Sequence, residues 1–368
     1  MTVAGRRVVS RWALVAAAAA VPCALPSVLA SLPVNSVHVT VGKVLASANQ
    51  PYSGYARTQA ELGLPSLPEL SDVTSLLSGT TDVRVWYLAA DQNRVDVVDT
   101  VGERDVYETP RGTYTWDYGR DQLTEITGTE PVRLPRAGDL LPPDLARRVL
   151  SMDQVDTAQP LPSRRIAGID AAGLRLRPAD PATTVGQVDI WADPATGLPL
   201  RVEITPRGAV QPILTSQFIS VTEGAPDEST VDPPDQPVGQ VGVPNVLSAI
   251  GGVGRYPLPA QLAGYPRQPQ LNGLPGVGRY GAGLATFVAL PLPRDVGSSA
   301  IDTALKGGAK QLTVRRGRAV LIQIPLLTVL IEQVGYRRTY LLAGFVNPVV
   351  MTRAATELSA LRRPVPTR

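Results

Sequence analysis

One His, one Cys and scattered carboxylates are the stock from which this 368-residue chain could build a reactive centre. His38, in Ser36-Val37-His38-Val39-Thr40, would have to be the general base of any triad hydrolase. Its nucleophile would need a strained turn, and no Gly-x-Ser-x-Gly occurs, so His38 reads as a surface side chain. One Cys with one His cannot assemble a Cys/His zinc centre, and a single Cys forms no internal disulfide. The pairs Asp96/Asp99, Glu103/Asp105 and Asp189/Asp193 have the residue type for acid/base work. Interleaved with Arg94, Arg104 and Arg201, they read as a solvated charged face. Gly276-x-Gly278-x-x-Gly281 matches the dinucleotide string, which needs a strand before it and a helix after it. Pro275 precedes it and a strand pattern follows, so no cofactor is implied. Arg315-Arg316-Gly317-Arg318, Arg337-Arg338 and the C-terminal Arg362, Arg363 and Arg368 carry charge that suits nucleic acid or anionic head groups. The first cluster falls on a predicted hairpin turn, where a solvated turn is the plainer reading. The expectation is a protein with no catalytic residue, no metal site and no cofactor.

The elements that position these residues are mostly short strands. Residues 82–88, 93–99, 113–118, 187–191, 200–205 and 217–222 are rich in Val, Ile, Tyr, Trp and Thr. Turn-forming runs such as Asp91-Gln92-Asn93, Arg111-Gly112 and Asp193-Pro194-Ala195-Thr196-Gly197 separate them. Tyr114, Trp116 and Tyr118 alternate with Thr113, Thr115 and Asp117, and Leu200, Val202 and Ile204 with Arg201 and Glu203. One apolar face per strand suggests an antiparallel sheet. Helices are predicted at 41–48, 69–78 and 142–152, the last with Leu145/Val149 and Ala146/Leu150 at i,i+4.

Residues 226–280 hold ten Pro and nine Gly and read as a linker or extended arm, with a repeated Gly-Val-Gly-Arg-Tyr at 252 and 276. Beyond it, strands are predicted at 284–290, 327–333 and 339–346 and a helix at 298–305. A hairpin joins 311–314 to 319–324, and a closing helix follows Asn347 as N-cap and Pro348 at its first position.

At the N-terminus, Arg6, Arg7 and Arg11 precede a charge-free run from Trp12 to Gly42, the pattern of an export signal with a cut after Ala30. An uncleaved anchor is the alternative, and Cys23 raises lipidation as another. Of the 35 basic residues, those three lie before the cut and no acid does, leaving 32 positive against 32 negative charges. A neutral exported chain argues against a nucleic-acid role.

Pro51-Tyr52-Ser53-Gly54, Leu62-Gly63-Leu64-Pro65, Leu76-Leu77-Ser78-Gly79, Val83-Arg84-Val85-Trp86 and the stretch from Gly112 to Tyr118 follow in an order that resembles a known family. So does the run from Val188 to Glu203 around Asp193-Pro194-Ala195-Thr196-Gly197-Leu198-Pro199. Over about residues 40–223 the chain resembles the lipoprotein-carrier (LolA-like) and sigma-E-regulator (RseB/MucB-like) superfamily. Tyr280-x-x-Gly283-Leu284-Ala285-Thr286-Phe287 is similar to the start of the regulator branch's second domain. The resemblance implies an α+β fold, a half-open antiparallel β-barrel wrapped over a few helices, with a second small α+β domain.

The expected organisation is an export signal or anchor over 1–30, a half-barrel over 34–225, a Pro/Gly-rich linker over 226–280 and a small domain over 281–368. The function the resemblance implies is non-enzymatic: an exported cell-envelope protein binding a lipid, or an acylated or misfolded envelope protein, and regulating a membrane-bound anti-sigma factor. A lipoprotein carrier or chaperone, and a ligand-free adaptor, are the alternatives. Partners would be the lipid or acylated lipoprotein, the anti-sigma factor and the membrane surface, and not nucleic acid. Candidate cavity residues are Trp86, Leu88, Tyr114, Trp116, Tyr118, Val188, Ile190, Leu200, Val202 and Ile204.

Overall fold

The structure, a computed structural model, describes residues 38–63, 71–99, 102–128, 135–152, 158–242, 258–269, 276–335 and 338–361. The expected export segment, with Cys23 and Ala30, lies outside them.

Two antiparallel meanders build the large sheet. The first is β1 (Tyr52–Ala60), β2 (Thr80–Ala89), β3 (Gln92–Asp99), β4 (Gly102–Thr109), β5 (Gly112–Asp117) and β6 (Gln122–Thr127). The second is β7 (Ala158–Ile166), β8 (Ile169–Leu176), β9 (Val185–Ala192), β10 (Pro199–Pro206) and β11 (Leu214–Glu223). They join where β1 pairs with β11, and β12 (Val238–Gly242) adds to β6 in parallel, giving a twelve-stranded open sheet. Three helices serve it: α1 (Val41–Ala46), α2 (Ser71–Leu77) and α3 (Pro142–Met152). A short helix, α4 (Glu228–Val231), follows β11.

The i,i+4 pattern of α3 has its expected consequence. Leu145, Ala146, Val149 and Leu150 are buried together with Val44 of α1 against Leu174, Leu176, Val188, Ile190, Val202 and Ile204 of the sheet. This helix-lined side is the inner face of a half-barrel.

The reversal between β9 and β10 is built by its own sequence. The Gly197 N–H donates to the Asp193 carbonyl at 2.7 Å, the Ala195 N–H donates to Asp193 Oδ1 at 2.6 Å, and Lys43 Nζ donates to the Pro194 carbonyl. Gly197 has φ +81°, and a Cβ there would collide with the Lys43 carbonyl of α1. Gly197→Ala is expected to lower stability by about 2 kcal/mol through strain and separation of α1 from the turn, checked by urea denaturation.

The second sheet orders β15 (Gly278–Tyr280), β16 (Phe287–Leu292), β20 (Arg338–Gly344), β19 (Thr328–Val334), β18 (Gly317–Gln323) and β17 (Lys310–Leu312), all antiparallel. A two-stranded ribbon, β13 (Gln261–Leu262) and β14 (Tyr265–Pro266), lies before it in the chain. Helix α5 (Arg294–Lys306) buries Ile301 against Val320 and Ile331, and α6 (Pro348–Ala360) buries Met351, Ala354 and Leu358 in the core of the other face. Asn347 caps α6 as its sequence predicts, accepting from the Val349 and Val350 N–H groups at 3.0 and 3.1 Å. The Gly-x-Gly-x-x-Gly string becomes β15 and a turn at Gly281, with φ +86°, and opens no helix.

The loop between β8 and β9 ties the sheets together. Thr183 Oγ1 donates to the Leu284 carbonyl at 2.8 Å, Thr184 Oγ1 to the Leu326 carbonyl at 2.5 Å, and the Asn347 N–H to the Ala182 carbonyl at 2.7 Å. Leu284 and Leu326 belong to the same buried cluster as α1, α3 and the half-barrel strands. Among the described residues no helix is long and apolar enough to cross a membrane.

Candidate functional site

Strand register decides which side chains face the helices. Tyr52, Val83, Val85, Tyr87 and Val95 share the inner face with Phe218, and the turn leading into α3 covers them through Ala137 and Leu141. Tyr52 stacks on Tyr87 at 5.1 Å and meets Phe218 edge-on at 5.7 Å. Burial raises the Tyr52 phenol well above its ordinary range. Continuing along the same face, Val85 pairs with Val95, Val95 with Val106, Val106 with Thr115 and Thr115 with Thr124. The inner face therefore turns polar beyond β4, where a pocket of 390 Å³ opens. Arg104, Arg120, Arg136, Asp117, Ile126 and Val241 are among its lining residues.

The opposite face carries the charges. Arg94 Nε and Nη2 fork onto Asp96 Oδ1 and Oδ2 at 2.7 and 2.9 Å, and Nη2 reaches Asp105 Oδ2 at 2.9 Å. The guanidinium carbon lies 4.9 Å from the Trp86 ring centroid and 5.3 Å from that of Tyr107, whose hydroxyl donates to Asp105 Oδ2 at 3.1 Å. Asp96 and Asp105 stand directly opposite one another on β3 and β4, and both are 0% exposed. The short helix α4 packs across β2, β3 and β4, and its Val231 is buried as completely. A strap crossing the back of the sheet thus makes a second buried layer.

Burial, and the carboxylate facing it, push Asp96 up to about 7; burial also raises Asp105. The chemical reason is that one guanidinium neutralises one carboxylate, so ionising the second leaves a buried charge without a counter-ion. Asp96, Glu103 and Asp105 bring oxygens within 4.8 Å of one another, the spacing of a cation site, but Arg94 already supplies the positive charge there.

These facts correct the expectation of a solvated charged face. Asp96 and Asp105 are buried, and so is Asp189, held by Arg175 at 2.7 and 2.6 Å. His38 is exposed, as expected.

The ten candidate cavity residues do not share one face. Val188, Ile190, Leu200, Val202 and Ile204 are at most 8% exposed; the first two and the last two pack with α1 and α3, and Leu200 packs with Leu198, Trp191 and Phe218. Trp86 lies on the outer face beneath Arg94, and Leu88 is half-buried near the end of the same strand. Tyr114 and Trp116 join Tyr107 and Leu123 in an outer cluster, with Tyr118 half exposed and edge-on to Trp116 at 5.7 Å. On β5 it is the threonines that point inward. Sequence reading named Arg94, Asp96 and Asp105 but missed Tyr107 and their grouping in one buried site; the signal was the parity of Arg94 with Asp96 and of Asp105 with Tyr107, which keeps each pair on one face.

No family model matches the sequence, and no curated protein matches it. Solved structures do. The chain is similar to one in the Pseudomonas aeruginosa MucA/MucB complex, at 16% identity over 86% of this chain and 95% of that one, TM-score 0.46. It is similar also to a LolA superfamily protein from Nitrosomonas europaea, at 12% identity over 53% of this chain and 98% of that one, TM-score 0.22. A putative outer membrane lipoprotein-sorting protein domain from Vibrio parahaemolyticus matches at 10% identity over 52% and 94%, TM-score 0.23.

Proposed function

We propose that this protein is an exported, non-enzymatic envelope sensor. It takes an acyl chain or other apolar ligand at the inner face of the half-barrel and passes the ligand state to its second sheet, and through it to a membrane-bound anti-sigma factor. What supports this reading is the shared core. Helices α1 and α3, which fill the half-barrel, pack in the same cluster as Leu284 and Leu326 of the second domain. A ligand that moves either helix would act on a core that Leu284 and Leu326 share. A carrier needs an apolar cleft and no such coupling. Each buried methylene contributes about 0.8 kcal/mol, so an acyl chain can offset the cost of moving a helix.

The test is hydrogen exchange on the full mature chain with and without vesicles of a dipalmitoyl lipid, alongside mass spectrometry of organic extracts. The expected result is a bound lipid with altered protection both in α1 and α3 and in β16, β19 and β20. Bound lipid with changes confined to the half-barrel would identify a carrier instead. No bound or exchangeable lipid would leave the adaptor reading and end this one.

A further inference from the structure

The two edges of the large sheet are built differently. At one end, β7 carries Pro160, Pro162, Arg164 and Arg165 and a bulge between Leu161 and Arg164. Proline, charge and irregularity are the devices that keep a sheet edge from pairing with another chain. At the other end, β12 is Val-Gly-Gln-Val-Gly, with no charge and no proline within the strand. Its register with β6 is regular over all five residues, and Val238 and Val241 are 47% and 53% exposed. Among the described residues no strand pairs with its outer edge.

This edge is also the wall of a charged pocket. Val241 and Gly242 line the 390 Å³ pocket with Arg104, Arg120 and Arg136; Asp117 lies 4.0 Å from Arg104 and 3.9 Å from Arg120, and Glu108 lies 2.9 Å from Arg136, so three cations are held by two acids and an excess positive charge remains. Alternation along β12 puts Gly239 and Val241 on the pocket side, opposite Thr124 and Ile126. Val238 and Gln240 lie on the other side, where Gln240 Nε2 donates to Glu125 Oε2 at 3.1 Å.

We infer that the outer edge of β12 is a docking site for an extended peptide segment of a partner protein, which adds to the sheet as a thirteenth strand. Alternate side chains of that segment are acidic and turn toward the arginines, and those between them are apolar and lie beside Val238. The backbone ladder supplies affinity and the arginines supply sign selectivity. This proposal stands apart from the sensor reading, because the edge and the pocket are present whether or not the half-barrel takes a lipid.

Fluorescence anisotropy with the full chain tests it, using a labelled acetyl-(Val-Glu)₃-Val-amide as probe. Two comparison peptides replace Glu by Lys, or the central residue by Pro. Binding is expected for the Glu peptide alone, weakening with salt. Arg120 is 76% exposed beside a turn, so Arg120→Glu leaves the fold intact, and it is expected to weaken binding about tenfold. Val241→Asp, a like charge on the edge itself, is expected to act in the same direction. Equal binding of the Pro peptide would overturn strand addition, and equal binding of the Lys peptide would overturn the acidic partner. Absence of binding, or self-association that the peptide does not displace, would overturn the proposal as a whole.

Discussion

Replacing Arg94 by Met is expected to remove about 4 kcal/mol of stability at neutral pH, the loss typical of breaking a buried ion pair from one side. Among the described residues Arg94 is the one cation paired with Asp96 and Asp105, and both carboxyl groups are sealed beneath the strap. Without it two carboxylates face each other across a strand pair with no compensating charge. Their only recourse is to take up protons, so the penalty is pH-dependent and its sign follows. Both carboxyl groups already sit above their ordinary range in the native protein, so the native state binds protons more tightly than the unfolded chain. Their contribution to stability is present at low pH and is lost as pH rises through about 7, the value for Asp96. The variant raises both groups further. Its deficit is therefore expected to shrink toward about pH 5 and to widen toward about pH 8. Urea denaturation at the two pH values measures this, and a deficit below about 1 kcal/mol, or one independent of pH, would refute the buried-charge account. Asp105→Asn is the control. It leaves the Arg94–Asp96 fork in place and relieves the repulsion, so it is expected to cost little and to flatten the pH dependence.

How the sequence disguised that cluster is instructive. Local patterns were legible where they depend on near neighbours. The i,i+4 pairs of α3, the Asn347-Pro348 entry to α6 and the Asp-Pro-Ala-Thr-Gly reversal all formed as their residues dictate. Antiparallel pairing followed from strands with one apolar face each, and the half-barrel was implied by the family resemblance. What stayed hidden was which face is buried, because in this sheet both are. The inner face is sealed by helices next to β1 in sequence or spaced between the meanders, and these show helical periodicity. The outer face is sealed in part by residues 228–231, four residues in a Pro-rich stretch with no period to read. Strand β12 is as obscure: its five residues pair with β6, and Gln240 meets Glu125 across 115 positions of chain. No local preference encodes a contact at that separation. Aromatic alternation on β5 did not show its orientation: Tyr114 and Trp116 pack with Tyr107 and Leu123 on the outer face, while Thr115 lines the pocket.

The second sheet holds a carboxyl group with even less support, and removing it is expected to stabilise the protein. Glu332 alternates with Thr328, Leu330 and Val334 on β19, opposite Tyr340 and Ala319. That face packs on α6 in a core of Leu330, Leu342, Met351, Ala354 and Leu358. Glu332 is 0% exposed, and among the described residues neither of its carboxylate oxygens has a hydrogen-bond partner. Burial alone pushes its pKa from 4.5 to about 9. At neutral pH the folded protein keeps this group protonated, whereas the unfolded chain ionises it. Stability consequently falls by about 1.4 kcal/mol for each pH unit above the ordinary carboxyl value, until the folded group itself ionises. Near pH 7.5 the accumulated cost is on the order of 4 kcal/mol. Glu332→Leu keeps a similar volume, removes the titration and fills the site with methyl groups, as when buried ionic groups are exchanged for apolar ones. A gain of about 3 to 4 kcal/mol at pH 7.5 is expected, shrinking toward zero near pH 4.5. Glu332→Gln separates the two contributions: it removes the titration but leaves a buried amide to be satisfied, so it should flatten the pH profile with a smaller gain. Paired urea titrations across this range decide the matter. If the Leu variant falls off with rising pH as steeply as the parent, Glu332 is not the group that titrates, and the buried carboxyl is held by contacts that lower its cost.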